Sequence, residues 1–86
     1  MRYNPIGMAR AYDEFVEFIS SGPSSAALVA WKASPDTQAR VTTLLAGERA
    51  GILSADDRSE LDHCMVVEHL VRLIKARARE RCEAQR

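Results

Sequence analysis

Apolar residues recur along this chain at helical spacing, and no stretch alternates in the way a half-buried strand requires. Met8, Ala11, Tyr12, Phe15, Val16 and Ile19 fall at i, i+3, i+4 and i+7 positions, with Arg10, Asp13, Glu14 and Glu17 between them. The pattern predicts an amphipathic helix over residues 8–20 with that stripe as its core face, ended by Ser21-Gly22-Pro23. Residues 1–7, punctuated by Asn4-Pro5 and Gly7, read as a loose lead-in. Ser24-Ser25 followed by AALVAW predicts a short helix or a turn, with Ser24 as a cap for the helical alternative. Trp31 at its end suits a plug between helices or, less simply, a ligand-stacking ring.

Ser34-Pro35-Asp36 combines a cap, a proline at N1 and an acid in the first turn, which together start a helix. Ala39, Val41, Leu44 and Leu45 form its apolar stripe, and Gly51 is placed to end it near Ala50. Only Ile52 and Leu53 separate that end from the next cap, Ser54, so the two flanking helices are expected to form an antiparallel hairpin.

The longest predicted helix begins after Ser54, with Asp57 three residues on as a shortened capping box. No Gly or Pro interrupts residues 55–86. At 100° per residue, Cys64, Val66, Val67, Leu70, Val71, Leu73, Ile74 and Ala78 share one broad face, with Asp62, Glu68, His69, Arg72, Lys75 and Arg79 on the other. A face this wide calls for two or more packing neighbours. Leu61 and Met65 fall off it, among polar residues, as contacts for a partner or as ordinary exposed apolar residues. A helix from Ala55 to Glu83 would be about 43 Å long, against a diameter of about 30 Å for a compact domain of this length. Its end is therefore expected to project or to pair.

These elements give an all-α fold. The expectation is one helical domain over residues 1–86, of three to four helices, whose long C-terminal helix packs antiparallel to the preceding one and frays over residues 82–86. A chain of 86 residues supports a marginal core, which favours association with a partner.

Charge changes the picture more than composition does. The net charge is zero, but residues 1–71 carry six Lys or Arg against ten Asp or Glu, and residues 72–86 carry six against two. Asp56, Asp57 and Glu60 oppose the positive end of the helix dipole, and Arg77, Arg79 and Arg81 its negative end. The run Arg72, Lys75, Arg77, Arg79, Arg81 reads either as a dipole-matched, solvated helix end or as a partner-binding surface. It lacks aromatic residues to stack bases, which places nucleic acid behind a protein partner or a second copy of the chain. No apolar run is long enough to span a membrane and nothing resembles a signal peptide, so a cytoplasmic location is expected.

Candidate chemistry is sparse. His63, Cys64 and His69 are close in sequence, but on a helix they point apart. Glu60-x-x-His63 has the spacing of carboxylate-bridged di-metal helices, yet it occurs once, where such sites use two copies and further acids. Cys64 beside His63 does not form a nucleophile–base pair, because consecutive helical residues do not face each other. The four glycines are isolated, so no phosphate-binding loop is present. The expectation is a non-enzymatic protein with no cofactor and no metal. Cys64 and Cys82 lie roughly 27 Å apart along one helix, too far to pair with each other.

The stretches FISSGPSSAALVAWKASPDTQARVTTLL and GILSADDRSELDHCMVVEHLVRLIKARAR resemble a family of small bacterial proteins carrying segments of the type ELDHxMxxEHLxRLxKARAR. The similarity covers roughly residues 14–80 and is most specific from Glu60 to Arg79. Cys64 stands where that family has an aromatic residue, which argues against a catalytic cysteine. The resemblance implies an antitoxin-like or accessory protein associated with an HNH-type nuclease, and it brings no catalytic residues with it. The candidate partner-binding residues are Leu61, Met65, Arg72, Lys75, Arg77, Arg79 and Arg81. A small nucleic-acid-associated regulator and a purely structural homo-oligomer are the alternatives.

Overall fold

The computed structural model describes residues 10–84 and contains four helices: α1 (Arg10–Ser20), α2 (Ser25–Ala30), α3 (Pro35–Ala50) and α4 (Ala55–Ala84). Among the described residues there is no strand. Met8, expected in the first helix, lies outside them. The stretch after Ser24 is helical, and its start is fixed by Ala27 N–H donating to Ser24 Oγ at 3.1 Å. At α3, Thr37 N–H donates to Ser34 Oγ at 3.2 Å, with Pro35 in the first turn.

Gly51 ends α3 in the left-handed region at φ 71°, and two crossed bonds satisfy the last carbonyls. Ile52 N–H donates to Gly47 O, and Gly51 N–H to Glu48 O, both at 3.0 Å. The turn is close: a Cβ added at Gly47 would stand 2.7 Å from a Leu53 δ-carbon. Asp57 N–H then donates to Ser54 Oγ at 3.1 Å and starts α4. The capping box is not closed, because the Asp57 carboxylate accepts from Arg40 instead, at 3.0 Å. Helix α4 continues through Ala84, so the fraying expected from residue 82 is not seen up to that point.

All three shorter helices pack on α4. α3 runs antiparallel to its first half and is tied to it by the ion pairs of Arg58 with Glu48 and Arg40 with Glu60. α1 reaches the same side through Ala11, Tyr12 and Phe15. α2 lies on the second half, where Leu28 shares a groove with Ile74 and Ala78, and Ala78 is fully covered. The basic end of α4 is therefore not the free projection that its length suggests. Trp31, at the end of α2, plugs the junction with α1: its ring lies 5.8 Å from Phe15 edge-on and 5.6 Å from Phe18 in a stack. The radius of gyration is 14.8 Å, above the roughly 12 Å of a compact chain this long.

The central core is small: Ala11, Leu44, Leu61, Cys64 and Val67, flanked by Tyr12, Phe15, Val41, Leu45, Leu53 and Val71. Two expectations are corrected here. Leu61 is buried rather than available to a partner, because it sits only about 60° around α4 from Cys64 and α3 covers that flank. Conversely Val66, Leu70 and Leu73 are exposed, because the neighbours of α4 cover only part of its apolar face, and Val16 and Ile19 of α1 are exposed as well.

Replacing Gly51 with Ala forces a Cβ into left-handed backbone and is expected to cost about 1–2 kcal/mol. Urea denaturation should show a lower midpoint at unchanged slope.

Candidate functional site

The face of α4 that the fold leaves open is the most distinctive surface of the molecule. Cys64, Val67, Val71 and Ala78 lie within about 60° of one another around the helix, and the other helices cover them. Val66, Leu70 and Leu73 follow each other at i, i+4 and i+7 on a second line, about 120° further round. Their exposures are 47%, 39% and 53%, so three large aliphatic side chains stand in one row in water. Arg77 continues the row toward the C-terminus and Asp62 flanks its other end, both exposed.

The structure separates the candidate residues that the sequence grouped together. Arg77 and Arg81 line a shallow groove of about 270 Å³ with Leu28, Leu73, Ile74 and Ala78. Lys75 is half-buried and lines a different cleft, beside Trp31 and Val71. Arg72 is engaged by Glu68 at 2.6 Å. Arg79 is exposed on nearly the opposite side of the helix from Arg77, and Met65, 36% exposed, stands about 100° from Val66. The basic residues thus fall on two lines of the helix end, Arg72, Lys75 and Arg79 within about 60° of one another and Arg77 with Arg81 on the other side. Sequence reasoning missed Val66, Leu70 and Leu73 as surface residues. Their signal was the width of the apolar face, which spans about 180° and exceeds what one layer of helices can bury.

Two polar clusters hold the helices in place. Glu14 of α1 accepts from Ser34 N–H at 2.8 Å, from Ser34 Oγ at 2.6 Å and from Thr37 Oγ1 at 2.6 Å, so α1 is tied to the first turn of α3. Burial alone would raise the Glu14 pKa, but the bonds from Ser34 and Thr37, with Arg10 nearby, bring it below the usual carboxylate range. Arg40 of α3 grips Glu60 with two bonds, at 3.0 and 2.8 Å, and reaches Asp57 at 3.0 Å. The bond from Arg40, opposed in part by burial, holds Glu60 below its ordinary value, and Arg40 is correspondingly raised.

Arg10, Thr37, Arg40, Glu60 and Cys64 line a cleft of about 410 Å³ between α1, α3 and α4. Cys64 is buried, and burial first, then Glu60, pushes its thiol up, with Arg40 offsetting part of the effect. A thiol held protonated is a weak nucleophile. His63, its neighbour in sequence, instead packs edge-on against Tyr12 at 5.3 Å. Among the described residues no group of three or more His, Cys, Asp or Glu side chains could hold a metal ion. No helix among them is long and apolar enough to cross a membrane. Compared with protein-family models, curated proteins and solved structures, the chain matches none.

Two outcomes are expected from this geometry. Because Glu14 and Glu60 are held below their unfolded values, their stabilising contribution is complete above about pH 4.3 and is lost as pH falls through their folded values. Glu14→Ala should cost about 2 kcal/mol at neutral pH, since three donors lose a charged acceptor. It should also flatten the fall in melting temperature between about pH 5 and 3, followed by circular dichroism. For the thiols, Cys82 is half-buried and should react with an aromatic disulfide reagent in the native protein, whereas Cys64 should react only on unfolding.

Proposed function

We propose that this chain is a non-enzymatic protein-interaction module that engages its partner through the open row of α4 and the arginine that extends it. One observation carries the reading: Val66, Leu70 and Leu73 are contiguous, large and each roughly half exposed, beside a central core that has five buried residues among those described. Isolated exposed aliphatics are ordinary, whereas a row along one helix is the form of a helix-docking surface. Covering the exposed half of each side chain would contribute about 1 kcal/mol apiece. The resemblance to antitoxin-like proteins fits the same class, and it nominates an HNH-type nuclease as one partner to test.

The cation distribution argues against the nucleic-acid reading. A phosphate-tracking surface needs several unpaired cations on one face, but in the line Arg72, Lys75, Arg79 the first is held by Glu68 and the second is half-buried, and Arg77 and Arg81 lie on the other side of the helix. Protein and nucleic acid are told apart by purifying the tagged chain from its own host. The expected result is a stoichiometric protein companion, either another protein or a second copy, that is lost with Leu70→Asp while the melting temperature is kept. Recovery of nucleic acid, released by salt and lost when Arg77, Arg79 and Arg81 are changed to Gln, would overturn the proposal in favour of a regulator.

A further inference from the structure

The row on α4 has a pattern that narrows its partner. Read from the N-terminal side it runs Asp62, Val66, Leu70, Leu73, Arg77, at steps of four, four, three and four residues. The order of properties is acid, aliphatic, aliphatic, aliphatic, base. Rotating one such row by a half-turn about a point beside Leu70 lays it on a copy of itself with every position matched. Leu70 meets the other Leu70, each Val66 meets a Leu73, and each Asp62 meets an Arg77. Asp62 lies about 12 Å from Leu70 along the helix and Arg77 about 10.5 Å, a mismatch that side chains of this length absorb.

From this, and resting on the interaction reading above, we propose that the occupant of the row is a second copy of the chain, with the two α4 helices antiparallel and crossing near Leu70. A twofold interface must be complementary to itself, and this row is. The parallel arrangement would stack Asp62 on Asp62 and Arg77 on Arg77, and would align the helix dipoles. The antiparallel one forms two opposite-charge pairs and opposes the dipoles. The charges are also available. Arg10, Arg40, Arg58 and Arg72 each pair with a carboxylate of their own chain, whereas Asp62 and Arg77 make no ion pair among the described residues.

The test is sedimentation equilibrium of the full chain at low and moderate salt. The wild type should show a concentration-dependent monomer–dimer equilibrium. Asp62→Arg and Arg77→Asp, each of which places two like-charge pairs in the interface, should weaken it about tenfold or more. The double variant D62R/R77D should recover it. A second measurement reads the register: in a Cys82→Ser background, an equimolar mixture of Val66→Cys and Leu73→Cys chains should oxidise mainly to the mixed disulfide. A wild type that stays monomeric into the high micromolar range, a double variant that fails to recover, or like-with-like disulfides would each overturn the antiparallel dimer. The interaction reading fails separately. If the wild type is monomeric but a different protein is still retained by the wild type and lost with Leu70→Asp, the row binds another partner and only the dimer is refuted.

Discussion

The fold depends on how much of α4 its three neighbours can reach. They contact this helix far more than they contact one another, and they all approach from the side of Cys64, Val67, Val71 and Ala78. Such an arrangement is nearly one layer of helices laid on a single spine. It buries one side of the spine and leaves the other to water. With so few buried residues, the apolar contribution is small, and the directional contacts take on unusual weight. The grip of Glu14 on Ser34 and Thr37 sets where α1 lies relative to α3. The fork from Arg40 to Glu60 and Asp57 sets where α3 lies relative to α4. Exposed ion pairs of the second kind stabilise by a few tenths of a kcal/mol each, so the first cluster, which also serves a helix cap and a buried threonine, matters more.

The local signals in the sequence translated directly into structure. Ser24, Ser34 and Ser54 each cap a helix because a serine hydroxyl needs nothing from the rest of the fold to accept a bond from the first turn. Gly51 ends α3 for a similarly local reason, the left-handed backbone that only glycine adopts without strain. The Asp57 box failed where a tertiary partner intervened: Arg40, 17 residues away, took the carboxylate that would have turned back on the cap. Glu14 was equally opaque. It read as the polar side of an amphipathic helix, and nothing in its neighbourhood announces that it will cap a helix beginning some twenty positions later.

The candidate surface was legible in kind but not in place. Periodicity told which residues of α4 are apolar, and it could not tell which half of a wide apolar face the neighbours would cover. Leu61 looked stranded among polar residues because the helical wheel treats the helix as having one inner side along its whole length. In fact α3 flanks the first half of α4 and α2 the second, so the covered side shifts along the helix. Leu61 is inside for that reason, and Leu73 is outside. The basic end was misplaced for the same reason. With α2 lying over Ala78, the arginines around it belong to different surfaces, with Arg77 and then Arg81 on the side of the aliphatic row and Arg72 and Arg79 away from it.

Among the described residues, the packing of a single chain leaves roughly half of each aliphatic side chain at 66, 70 and 73 in water. Valine is a poorer helix former than glutamate, glutamine or lysine, because the preceding turn restricts its branched side chain. A polar residue at these positions would therefore support α4 at least as well, with no apolar surface left in water. The contrast with Leu44 is instructive, since at 1% exposure that side chain is required by the core and needs no further explanation. Exposed aliphatics offer the isolated fold little and add a hazard of unspecific association. Unspecific association would be served by any placement of apolar groups, whereas here they are collinear, evenly stepped and bounded by an acid and a base. The ordering, more than the hydrophobicity, is what a demand from outside the chain would produce, and the proposed pairing of α4 with a second α4 supplies that demand with the residues already in place.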